Sequence, residues 1–262
     1  MRSCQTLSDI APARPSSTVV VVRAGTVEPE LFMVRRHAKS SFGAAYAFPG
    51  GVVDDDDAAV HEFCSGLSTI QANKRLGVRK DGLNYFSAAI RELFEESGVL
   101  LANVNELDED LAGVRDSLNN GSERWSEFVT RNRLKLHCDQ LHYISHWVTP
   151  ISQPRRYSTR FFLAELPEGQ VAEHCGGELT DSRWITAHDM LEAGRAGAVE
   201  LHFPTIKTLE SIARHKTLEA LVEWARSCVE WGVTSMLPAI IMRDGKPDVV
   251  LPGEKDYPGL RT

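Results

Sequence analysis

Glu92, Glu95 and Glu96 stand at i, i+3 and i+4 in the run Arg91-Glu92-Leu93-Phe94-Glu95-Glu96-Ser97-Gly98-Val99. On a helix of 3.6 residues per turn their carboxylates share one face. Like charges so placed repel and destabilise the helix unless something offsets them. A divalent cation does so, and an all-oxygen set of carboxylates suits Mg2+ or Mn2+ better than zinc. The plainer alternative is a solvated acidic face. Against it, Ala88, Ala89, Ile90 and Leu93 add an apolar stripe that anchors the segment to a core. Gly98 is placed to end the helix in the left-handed conformation. Upstream, Phe48-Pro49-Gly50-Gly51 forms a bend whose glycines let backbone approach an ion or phosphate closely.

Cationic groups complete the chemistry. Arg35 with Arg36, and Arg155 with Arg156 and Arg160, form two basic clusters, and guanidinium forks match phosphate oxygens two at a time. Surface pairing with the abundant acids competes with that role. Neighbours on a strand point to opposite faces, so Arg155 and Arg156 cannot both line one pocket. Other pairings carry less. His142 and His146 have the four-residue spacing of a zinc-protease helix but lack its Glu, and their segment reads as a strand. Cys175 has no evident base partner. The Asp54–Asp57 run lacks the Gly and Glu of a calcium loop and reads as a solvated turn and helix cap.

From Arg91 to Val99 the chain resembles the second half of the box that defines the Nudix hydrolases, G-x5-E-x7-R-E-U-x-E-E-x-G-U with U aliphatic, at every specified position. The first half departs from it: five residues after Gly51 comes Asp57 where the family has Glu, and 33 residues rather than seven separate it from Arg91. Such an interrupted box resembles the branch of coenzyme A diphosphatases. So does His146-Trp147-Val148-Thr149-Pro150 followed by Pro154-Arg155-Arg156-Tyr157-Ser158-Thr159-Arg160-Phe161-Phe162. The resemblance implies a Nudix-type α/β/α sandwich and metal-dependent hydrolysis of a diphosphate. It implies Glu92 and Glu96 as direct metal ligands, Glu95 as a ligand directly or through water, and the Gly50 carbonyl as a further donor. Arg91 would orient a carboxylate rather than touch substrate. The general base would sit in the loop Glu173-His174-Cys175-Gly176-Gly177-Glu178, with Glu178 favoured over Glu173 and His174. Arginines would hold the pyrophosphate or the 3′-phosphate of coenzyme A. The favoured substrate is coenzyme A or an acyl derivative, giving 3′,5′-ADP and (acyl) 4′-phosphopantetheine. ADP-ribose or NADH is the runner-up, and a silent nucleotide sensor is the reading of another class.

These side chains need a sheet and helices to hold them. Val19–Arg23 and Leu31–Arg36 read as paired strands, Leu141–Val148, Arg160–Leu166 and Arg183–Thr186 as further strands. Helices are expected over Ala58–Gly66, Tyr85–Ser97, Leu107–Leu118, Arg124–Asn132, Ala187–Ala193, Pro204–Arg214 and Leu218–Glu230, with 66–83 irregular. A last hairpin, Ile240–Met242 with Val249–Leu251, turns at Asp244-Gly245. The pattern predicts a central mixed sheet with the acidic helix on one face. Residues 1–17 read as a disordered arm and 18–262 as one domain, with an insertion at about 58–84 and a C-terminal extension from about 204. Insertion and extension are candidates for dimerisation, into a homodimer, or for acyl-chain recognition.

The composition, 42% hydrophobic and 25% charged, is that of a globular protein with a sizeable core. A net charge of −7 argues against electrostatic binding to nucleic acid or acidic membranes. Five scattered cysteines without a C-x-x-C favour reduced thiols. The absence of a signal peptide, of a membrane-length apolar run and of a peroxisomal tripeptide at Leu260-Arg261-Thr262 points to a cytoplasmic protein.

Overall fold

The computed structural model describes residues 10–36, 45–176 and 179–258, with Arg36 and Glu106 described by their backbone alone. The strands β1 (Ala13–Arg23), β2 (Glu30–Arg36), β3 (Tyr46–Ala47) and β4 (Gly50–Val52) come first. A 3-10 helix over Asp55–Phe63 leads through β5 (Cys64–Ser65) to the helices α1 (Thr69–Leu76) and α2 (Gly82–Ser97). Next come α3 (Leu111–Asn119), α4 (Trp125–Asn132), β6 (Leu136–His137), β7 (His142–Val148), β8 (Arg156–Glu165) and β9 (Leu179–Thr186). The chain then runs through α5 (Ala187–Arg195), α6 (Phe203–Ile212), α7 (Leu218–Trp231) and β10 (Ser235–Met236) to the hairpin β11 (Ala239–Arg243) and β12 (Lys246–Val250).

Eight strands form one mixed sheet in the order β10-β7-β8-β1-β2-β3, with β4 also paired to β1 and β9 to β2. β1 runs parallel to β8 and antiparallel to β2 and β4. Val19 to Val22 are fully buried because β1 is covered on both faces. Val19 and Val21 join Phe32, Val34, Phe86, Ile90 and Leu93 under α2, while Val20 and Val22 join Leu31, Met33, Met190, Leu209 and Leu221 under the C-terminal helices. Burial of each such side chain contributes about 1.5–3 kcal/mol. The expected α/β/α layering therefore holds. Among the described residues no helix is long and apolar enough to cross a membrane.

Two segments differ from expectation. Residues 66–83 are not irregular: α1 lies within them, opened by a capping box between Ser68 and Gln71 and closed by Gly77 at φ 63°. β1 begins at Ala13, inside the stretch expected to be a disordered arm, because parallel pairing with β8 starts there at Arg156. The final hairpin forms as expected, with positive φ at both Asp244 and Gly245.

Candidate active site

α2 carries the acidic face. Its apolar side is pinned by Phe86 against Phe162 at 4.9 Å between ring centres, and Gly98 closes it at φ 76°. Arg91, only 8% exposed, is the hub of the charged side. Its Nε and Nη2 donate to the two oxygens of Asp57, each at 3.1 Å, and Nη2 also donates to the Val52 carbonyl at 3.0 Å. Its Nη1 donates to Glu92 at 2.9 Å and to Glu95 at 3.2 Å.

Asp57 is fully buried, which corrects the reading of Asp54–Asp57 as a solvated turn. Besides Arg91 it accepts from Asp54 N and from Ser87 Oγ, which in turn accepts from Trp125 Nε1. Asp54 is the expected cap, in a box closed by Asp57 itself. The long stretch between Asp57 and Arg91 folds out as the 3-10 helix, β5 and α1, and returns so that the two charges meet. Burial pushes the Asp57 carboxyl upward, opposed by Arg91. Burial works to lower Arg91, but the carboxylates of Glu92 and Asp57 outweigh it and hold the guanidinium charged.

Glu95 is pushed up to about 7, first by burial and then, against Arg91, by the neighbouring charges of Glu92 and Asp57. That crowding of negative charge, in a set of oxygen donors alone, fits a hard divalent cation. Glu96, 8% exposed, faces the glycine bend and accepts from Gly50 N at 2.9 Å. Both glycines are required by close approach. A Cβ on Gly51 would overlap the Glu92 carboxylate, and one on Gly50 would overlap Ser17 O and Thr18.

The bend opens into a cavity of about 620 Å3, within the range of small-molecule sites. Gly50 and Gly51 line it together with Phe48, Trp147 and Phe203 and with Ile240 and Val249 of the terminal hairpin. Of the five candidate arginines, Arg155 lines this cavity. Arg156 is turned away and donates to the carbonyls of Thr149 and Ala11, as strand alternation requires. Arg160 is 5% exposed and stacks on the Tyr85 ring at 4.0 Å. Arg35 stands opposite Tyr46 and Asp181 in the sheet, and the Arg36 side chain lies outside the described residues.

Glu178 also lies outside the described residues, and the residues before it, Glu173 to Cys175, are tied to the end of α2. Glu173 N donates to Ser97 O at 2.9 Å, Cys175 N to Glu96 O at 3.3 Å, and Arg115 Nη2 to Glu173 O at 2.8 Å. His174 is engaged with Ser182 Oγ at 2.9 Å. The sequence singles out Asp57 but not its ion pair with Arg91, and it does not single out Ser87 or Trp125. The five-residue step from Gly51 marks Asp57, whereas nothing in the sequence marks Ser87 and Trp125 as its partners.

An α/β/α sandwich with a carboxylate-bearing helix over a glycine bend is the architecture of a Nudix hydrolase. The crystal structure of a NUDIX hydrolase from Alicyclobacillus acidocaldarius superposes with a TM-score of 0.70 at 29% identity, covering 81% of this chain and 96% of the other. The family model of the NUDT19 Nudix domain matches residues 80–212, half of the chain, and the protein belongs to that family. "Acyl-coenzyme A diphosphatase NUDT19" of Xenopus laevis is 27% identical over 287 residues, covering 88% of this chain and 75% of the relative. A Caenorhabditis elegans relative whose name is that of a nudix hydrolase is 24% identical over 205 residues, 77% of this chain. The chain spans 61% of that relative's length.

Proposed function

We propose that this Nudix hydrolase is a Mg2+- or Mn2+-dependent diphosphatase of coenzyme A or an acyl-coenzyme A. Water adds across the diphosphate, giving 3′,5′-ADP and the (acyl) 4′-phosphopantetheine. The observation that carries the reading is the shared bend: Gly50 and Gly51 line the cavity and also meet Glu96 and Glu92 of α2. The diphosphate would lie at the bend, and the pantetheine or acyl arm would run along the apolar walls. The acyl-coenzyme A diphosphatase activity that names the Xenopus laevis relative supports the substrate class.

Glu92, Glu95 and Glu96 with the Gly50 carbonyl would hold the cation, and Arg91 keeps Glu92 and Glu95 oriented. A divalent cation held there neutralises phosphoryl charge and lowers the pKa of the attacking water. Glu178, three residues after Cys175 in the sequence, would accept the proton from that water. Arg155, which lines the cavity, would hold a phosphate, and Arg156 and Arg160, engaged elsewhere, would not. The reading places the protein in the cytoplasm, acting on a free nucleotide.

The test is hydrolysis of coenzyme A, ADP-ribose and NADH with Mg2+ or Mn2+, products identified by mass. Release of 3′,5′-ADP from coenzyme A, reduced about 10²-fold or more in Glu96→Gln, is the expected result. Turnover of ADP-ribose or NADH with coenzyme A intact would reassign the substrate. Nucleotide binding without metal-dependent turnover would make the domain a sensor.

A further inference from the structure

The last four carbonyls of a helix have no partner within it. At the end of α2 all four are taken. Phe94 O accepts from Gly98 N at 2.8 Å, Glu96 O from Cys175 N at 3.3 Å and Ser97 O from Glu173 N at 2.9 Å. Glu95 O accepts from two side chains of α3, Arg115 Nε and Asn119 Nδ2, each at 3.0 Å. Glu95 and Glu96 are also residues whose carboxylates the hydrolytic reading gives to the cation. Their backbone is therefore gripped by α3 and by the loop that joins β8 to β9.

That loop is laid along the end of the helix. Gln170 Nε2 donates to Leu100 O at 2.9 Å, and its Oε1 accepts from Leu100 N at 2.8 Å, as a strand partner would. Glu173 spends its N–H on Ser97 O, and its carbonyl accepts from Arg115 Nη2 at 2.8 Å. One guanidinium thus holds Glu95 of the helix and Glu173 of the loop together. Its planar fork fixes the separation of two acceptors in a way that a single ammonium cannot. The cation also sits at the negative end of the helix dipole. Gly98 leaves it room, since a Cβ there would stand 3.3 Å from Arg115 Nη1.

We propose that Arg115 is a positioning residue for hydrolysis, setting the register of the 170–175 loop against the carboxylate face of α2. It acts through backbone and touches neither cation nor substrate. The role rests on the hydrolytic reading, whose proton acceptor, Glu178, follows Cys175 by three residues in the sequence. A slip of the loop along α2 moves the chain that leads to that acceptor. A helix cap alone needs only the bond to Glu95 O, which Asn119 already makes. The second bond, to Glu173 O, is what a cap does not require.

The experiment follows amide hydrogen exchange of the full chain alongside Mg2+-dependent hydrolysis of coenzyme A, ADP-ribose and NADH. It compares the wild type with Arg115→Met, Arg115→Lys and Asn119→Ala. In Arg115→Met the Glu173 and Cys175 amides should exchange at least tenfold faster, with those in the middle of α2 unchanged. There kcat should fall about tenfold or more, with KM within about twofold. Arg115→Lys keeps a cation at the helix end but not the fork, so it carries the test if Arg115→Met fails to fold. It should lose at least about threefold in kcat. Asn119→Ala removes a bond to Glu95 O and none to the loop, and should keep kcat within about twofold. Unchanged exchange at Glu173 and Cys175 in both Arg115 variants would overturn the proposal, and so would faster exchange with kcat intact. An equal loss of kcat in Asn119→Ala would make Arg115 a helix cap and nothing more. A wild type that hydrolyses none of the three would sink the hydrolytic reading, and with it the need for a positioned acceptor. Wild-type turnover without these differences sinks the role of Arg115 alone.

Discussion

Asp57 and Arg91 are the pair on which the charged face of α2 turns, for Arg91 reaches Glu92 and Glu95 only while its other edge is held by Asp57. Removing one member of a buried ion pair strands the other, at a cost of about 3–5 kcal/mol, more than a pair at the surface is worth. Asp57→Ala is therefore expected to lower stability by about that amount in urea unfolding, and to reduce hydrolysis because Arg91 can collapse onto Glu92. The double variant Asp57→Leu with Arg91→Met should be more stable than either single variant while staying inactive. A loss under 1 kcal/mol in Asp57→Ala would mean that Ser87 and water replace the carboxylate, and the pair would then be dispensable. Gly51 belongs to the same argument, since the space it leaves is filled by the Glu92 carboxylate.

At the scale of elements, what the sequence made legible was whatever repeats along the chain. The apolar stripe and acidic face of α2, the valine run of β1 and the Asp244-Gly245 turn each carry a period or a turn dipeptide that backbone geometry dictates. α1 escaped because its residues are mostly polar, Thr-Ile-Gln-Ala-Asn-Lys-Arg-Leu, and only the Ser68-x-x-Gln71 spacing announced it. The burial of Asp57 was illegible for a different reason: it depends on α4 and α2 arriving at the 3-10 helix from distant parts of the chain. The arginines divide the same way, since alternation along β8 separates Arg155 from Arg156 but says nothing of Tyr85 covering Arg160. β7 also supplies a titrating element. His146, bonded to Ser158 Oγ at 2.8 Å, is pushed down to about 4, first by burial and then by the charge of Arg160. The unfolded chain, with its ordinary value near 6.5, binds a proton that the folded chain refuses. His146 thus contributes stability that is complete above about pH 6.5 and is lost as pH falls toward 4. His142, lowered chiefly by burial, acts in the same direction. Urea midpoints measured from pH 7 to 4.5 should fall in the wild type and fall less steeply in His146→Gln. An unchanged slope in that variant would assign the acid sensitivity to His142 and the carboxylates.

For the whole molecule the decisive feature is that the carboxylates and the large cavity lie on opposite faces of one sheet and meet at β4. Ser17 belongs to the α2 face, Ser16, Thr18 and Phe161 line the cavity on the other, and Gly51 meets both, the Glu92 carboxylate on one side and the cavity on the other. With glycine at positions 50 and 51, the sheet there is only a backbone thick, so on the proposed reading a diphosphate at the bend would be reached from α2 while its organic arm would lie on the far face. The C-terminal segment would give that arm its wall: Phe203 and Pro204 at the start of α6, and Pro238, Ile240 and Val249, line the cavity. Each methylene withdrawn from water contributes about 0.8 kcal/mol, so four methylenes held against this wall would raise kcat/KM by about 200-fold. Ile240→Asp puts a charge where those methylenes would lie. It should leave kcat/KM for unacylated coenzyme A within about threefold of the wild type, and lower that for a long-chain acyl-coenzyme A more than tenfold, mostly through KM. The comparison also locates the acyl chain. If both substrates weaken equally, the hairpin supports the fold of the cavity without reading the substrate. If neither changes, the acyl chain leaves the cavity before it reaches β11, and the wall at Phe203 becomes the place where chain length is measured.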